Sequence, residues 1–242
     1  MNKPASPNPW QTALGQRLTL ALAQSRLAHP PFADTASGVE HDALGTRWQL
    51  PARPMQQAVA DGALSALSEM LGGAPAQGDL LTRCLQHYRG QLAADPAQDD
   101  LGAALAAYLG ACRQAFDHEP LSPQRWQAIT QWLKAWVIDQ PPCDALPWDD
   151  APLADRQDAF ERFAVLAVAL GEWTVQASRQ GKAQQASATW MARSSLRGQL
   201  GLDLPALCAV LRGLDTPTAA NPSLRRDELG AAADRQRESD PV

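Results

Sequence analysis

One helix in this chain has almost no polar side. From Phe160 to Ala177 the sequence reads FERFAVLAVALGEWTVQA, and between Phe163 and Gly171 no residue is polar. A helix that is apolar on every face has to be buried on most of them. A chain with such a segment folds as a bundle around it. The segment, residues 155–180, is then a structural centre rather than a reaction centre. Alanine and leucine dominate the remainder, there are only four Phe and two Tyr, and β-branched residues are sparse. That mixture favours helix over sheet. The expected fold is all-α, a single-domain bundle of about seven or eight helices.

Periodicity marks the other helices. Asn8 and Pro9 are a cap and a first helical residue, and Trp10, Leu14, Leu18 and Leu22 then recur every fourth residue until His29-Pro30-Pro31. Residues 32–53 have no period beyond a short extended hint at Arg47-Trp48-Gln49-Leu50. A second helix is expected over 54–71, ended by Gly72-Gly73. A third runs from Asp79 to Leu92 and breaks at Asp95-Pro96. Asp99 or Asp100 caps a fourth, and Ser122-Pro123 opens a fifth that presents Trp126, Ile129, Trp132, Leu133 and Trp136. The Pro-rich loop QPPCDALPWDDAP (140–152) leads into the apolar helix, which ends near Gly181. Helices over 182–200 and 205–214 follow. The expected organisation is an N-terminal helix and irregular segment (1–53), the bundle (54–214), and a disordered tail (215–242) with little apolar surface to bury. AALAAYLG (103–110) and AVLAVALG (164–171) echo each other. The echo is either an old duplication of a helix pair or two Ala/Leu core helices alike in composition.

A net charge of −5 argues against nucleic acid or an anionic membrane as partner. Cys84, Cys112, Cys143 and Cys208 form no CxxC pair, and three of them fall on apolar stripes, so they read as reduced structural thiols rather than a disulfide framework or a zinc site. The histidines (29, 41, 87, 118) are scattered, and no phosphate-loop, nucleophile-elbow or metalloprotease motif is present. No catalytic residue, metal site or cofactor is expected. Gln11, Gln16, Arg17 and Gln24 interrupt the first helix, which makes it a poor export signal, and no apolar run approaches the roughly 20 residues of a membrane span. The expected compartment is the cytoplasm. No oligomeric state is specified.

Four features remain as candidate sites. Trp132 and Trp136 share a face of the fifth helix and are either core or the lining of a partner groove or pocket. Trp148 stands in the Pro-rich loop beside Asp149 and Asp150. It is either an interaction anchor or a plug over the bundle end. The two aspartates are either a recognition epitope or a solvated start to the next helix. Glu172 is either a buried carboxylate held by Arg113 or Arg179 or the place where the apolar helix emerges into water.

The run DDLGAALAAYLGACRQAF, the helix QRWQAITQWLKAWV, and the segment 160–203 closing on Leu200-Gly201-Leu202-Asp203 resemble a bacterial family of all-helical proteins of unknown function. TRWQLPARPMQQAVADGALSAL (46–67) resembles that family's opening, so the resemblance covers residues 46–214. It implies a helical bundle and no particular activity. Many members carry an export signal, where this chain has an extra N-terminal helix. The leading functional expectation is a non-catalytic protein-interaction or accessory module whose partner is another protein. The alternatives are a small-ligand binder or enzyme with an interhelical pocket near Glu172 and Trp132, and, from the resemblance alone, a secreted or effector-like protein.

Overall fold

The apolar run from Phe163 to Leu170 is helical, and six of its eight residues are at most 3 % exposed while Ala167 is 4 % exposed. The structure, a computed structural model, describes residues 9–25, 49–51, 61–71, 78–92, 98–139 and 151–214. In chain order these form α1 (Pro9–Ser25), β1 (Gln49–Pro51), α2 (Asp61–Met70), α3 (Gly78–His87), β2 (Gln98–Asp100), α4 (Leu101–Asp117), α5 (Pro123–Asp139), α6 (Leu153–Gln180), α7 (Lys182–Leu200) and α8 (Leu204–Gly213). The fold is an all-α bundle around α6. The tail, the Pro-rich loop through Asp150 and the segment 52–60 lie outside the described residues.

Local chemistry sets the helix ends. Asp100 caps α4 by accepting a hydrogen bond from the Ala103 N–H at 2.8 Å, and Ser122 Oγ accepts one from Arg125 N–H at the start of α5. Gly201 (φ 67°) ends α7 in the left-handed conformation that glycine adopts without a Cβ clash. Two residues later Asp203 caps α8, with Pro205 in its first turn.

The two long apolar helices, α4 and α6, make the most extensive contact in the fold. Tyr108 stacks on Phe163 with ring centroids 5.6 Å apart, and its hydroxyl shares a buried hydrogen bond with Ser195 of α7 at 2.8 Å. The second link satisfies a phenol that would otherwise be stranded in the core. α1 places Leu14, Leu18, Ala21 and Leu22 in the same core and packs on α5, α7 and α8. Arg113 is buried, yet its guanidinium donates to the Leu211 carbonyl at 2.9 Å and to Asp117 at 3.2 Å. Asp117 also pairs with Arg212. These bonds tie α8 to the end of α4.

Two departures from the sequence reading occur near α3. The helix does not continue as α to Leu92. Its last five residues, Tyr88–Leu92, form a π turn. The wider turn sets Tyr88 edge-on to Phe160 at 5.6 Å and leaves Arg89 facing Asp99. The second is β2, which pairs antiparallel with β1 through Gln49↔Asp100, Leu50↔Asp99 and Pro51↔Gln98. Asp99 is therefore no helix cap. It is 2 % exposed and takes two hydrogen bonds from Arg89, at 3.0 and 2.6 Å, which satisfy the carboxylate that the strand pairing buries.

Candidate functional site

Five small residues leave a groove open along the α4–α6 seam. Ala107 and Ala111 come from α4, and Ala167, Val168 and Gly171 from α6. Alanines recurring every fourth position present one face, and none carries a side chain long enough to span the gap. The space above them measures about 590 Å³.

Trp126 of α5 bounds the groove on the α4 side, where its ring packs on Gly110. His87, at the end of α3, bounds it on the α6 side. Its Nδ1 lies 3.8 Å from Glu172 Oε1, and both side chains are about half exposed (47 % and 62 %). Gln114, Gln176 and Arg179 add polar groups along the rim, and Val175 adds an apolar one. The floor is thus apolar and made of small residues, one wall is aromatic, and the charged groups lie along the exposed rim. The thiol one turn before His87, that of Cys84, is buried and free. Burial, and then the Glu172 carboxylate, push Cys84 up to about 11.

The candidate residues of the sequence separate on this frame. Glu172 is the point where α6 emerges into water, and it lines the groove. Its neighbour is His87 and not Arg113, which is committed to Asp117 and Leu211. Trp132 is no contact surface and does not line the groove. Its side chain is 1 % exposed because this face of α5 turns into the core with Ile129 and Leu133. Its indole N–H has no hydrogen-bond partner among the described residues. Trp136 lies on α5 with its side chain outside the described residues, and Trp148, Asp149 and Asp150 lie outside them altogether.

Three residues escape the sequence reading. Trp126 and His87 matter because of what packs beside them, and no local pattern marks that. Trp190 of α7 is 57 % exposed, and here a signal exists: it falls on the same helical face as Lys182, Arg193 and Arg197. Among the described residues, no three His, Cys, Asp or Glu side chains gather as metal ligands, and no helix is long and apolar enough to cross a membrane. Comparison with known proteins finds no matching family model, no matching curated protein and no matching solved structure.

Proposed function

We propose that this chain is a non-catalytic binding module that receives a small amphipathic ligand in the α4–α6 groove. The apolar body lies on the Ala/Gly floor against Trp126, and the polar end faces His87 and Glu172. One observation carries this reading: the floor residues are too small to fill the space between their helices, leaving about 590 Å³. Small-molecule sites span roughly 300–1,000 Å³ and are apolar with a few polar groups at one side. A cytoplasmic setting fits the three buried free thiols, Cys84, Cys112 and Cys208.

The test is displacement of an anilinonaphthalene sulfonate dye by dodecylamine and by dodecanoate, read by fluorescence. A Cβ at Gly171 meets no atom within 4 Å, so Gly171→Leu can start a side chain into the groove that Gly171 lines. Saturable dye binding that falls at least about tenfold in Gly171→Leu, at unchanged melting temperature, supports the reading. Binding unaffected by that substitution removes it. The wider reading, an interaction module for a protein partner, draws separate support from the exposure of Trp190.

A further inference from the structure

α7 is a helix with no acid. Its charged residues are Lys182, Arg193 and Arg197, in a chain whose net charge is −5. Lys182 and Arg193 are three turns apart, and Arg197 follows one turn later, so the three share a face. Trp190 lies on that face one turn before Arg193, with its indole 57 % exposed. The opposite face carries Ala188, Met191, Ala192 and Leu196 into the core. Elsewhere Arg89 pairs with Asp99, and Arg113 with Asp117. Lys182, Arg193 and Arg197 make no ion pair with any described residue. Where α7 meets α1, Arg197 borders a cleft of about 250 Å³ that Thr12 and Gln16 line with uncharged hydrogen-bonding groups.

We propose that this outer face of α7 docks an acidic segment of a partner protein. Trp190 is the apolar anchor, Lys182, Arg193 and Arg197 meet its carboxylates, and the cleft beside Arg197 takes one of them. Charge complementarity selects the occupant. Trp and Arg are the residues that most often carry binding energy at protein interfaces. The three cations spread over some ~22 Å of helix, which matches a peptide bearing a carboxylate every turn or two. Duplex DNA carries a charge every ~1.7 Å, and the negative remainder of the chain would repel such a polyanion. This surface lies apart from the groove, so it stands whether or not the groove binds a ligand.

The experiment uses the full chain and a labelled helical peptide with Glu at every fourth position around a central Leu. Anisotropy is read at low and moderate salt. Saturable binding that weakens with salt is expected, with at least an about tenfold loss in Arg193→Glu/Arg197→Glu and in Trp190→Ser. Melting temperature should not change. The milder Arg193→Gln/Arg197→Gln pair serves if charge reversal disturbs α7. Phosphatidylserine vesicles and oligo-thymidine are the competing probes. No saturation, equal binding by wild type and the charge variants, or tighter binding of either competitor through the same residues overturns the proposal.

Discussion

Trp126 occupies the space that a side chain at position 110 would need. A Cβ built on Gly110 would lie 2.1 Å from Cζ3 of the indole and 2.6 Å from Cη2. The glycine therefore sets how closely α5 approaches α4, and with it the position of the groove's aromatic wall. Gly110→Ala forces the ring away, and overpacking of this kind costs about 1–3 kcal/mol. A lowered melting temperature together with lost dye binding is expected. An unchanged melting temperature and intact binding would mean that the ring is not held there.

The matching glycine on α6 behaves in the opposite way. Gly171 has open space where Gly110 has an indole. Gly171→Ala should stabilise the chain by roughly 0.5–1 kcal/mol, because alanine is the better helix former and meets nothing. Thermal unfolding of the two alanine variants side by side is the measurement. Destabilisation by Gly171→Ala would show that the groove closes over this position.

Leu166 and Leu170 are both fully buried, with Phe163, Ala164 and Val165 around them on the same helix. Leu166→Asp or Leu170→Asp places a carboxylate among apolar neighbours, at a cost of more than about 4 kcal/mol. Insoluble or unfolded protein is expected by circular dichroism. A soluble variant with an unchanged melting temperature would take α6 out of the core.

Adjacent aspartates give a sharper contrast. Asp100 caps α4, and losing that cap in Asp100→Ala should cost about 1 kcal/mol. Asp99 is the buried half of a bidentate pair, and its loss takes both of those hydrogen bonds from the Arg89 guanidinium, which also lies 5.8 Å over the Phe160 ring. Asp99→Ala should cost about 3–5 kcal/mol. Denaturant midpoints for the two variants decide it. Equal losses would mean that the ion pair contributes nothing beyond a cap.

What the sequence showed was what a few consecutive residues determine. The apolar run of α6, the break at Gly181 and the stop at Gly201 all depend on neighbours within one turn, and the structure has them where the pattern put them, while of the two aspartates offered as the α4 cap it uses Asp100. The tryptophans were not legible in this way. Trp126 and Trp132 lie on one helix, yet one walls a groove and the other is core, because α4 and the bundle interior meet different faces of α5. Arg89 and Asp99 are separated by the break at Asp95-Pro96, so no helical spacing could pair them. The groove had one visible trace. The echoing segments 103–110 and 164–171 end in Gly110, which admits the ring of the aromatic wall, and Gly171, which leaves the floor open.

The buried thiols make a last prediction, on pH. Burial raises Cys84 from 9.0 to about 11 and Cys208 to about 12, with Glu172 and Asp117 respectively adding to the rise. In the unfolded chain both return to the ordinary thiol value. Between pH 9.0 and about 11 the unfolded state therefore releases protons that the folded state keeps, and the equilibrium shifts toward unfolding as pH rises. The stabilisation is complete below this window and fades through it. Melting temperature should fall across the window, and Cys84→Ala/Cys208→Ala should flatten the fall. Alkylation at neutral pH should be slow in the native chain and fast in denaturant, since the reactive thiolate is scarce and covered. Rapid native labelling of Cys84, or a pH profile that the double variant leaves unaltered, would show that these thiols are not held protonated by the core.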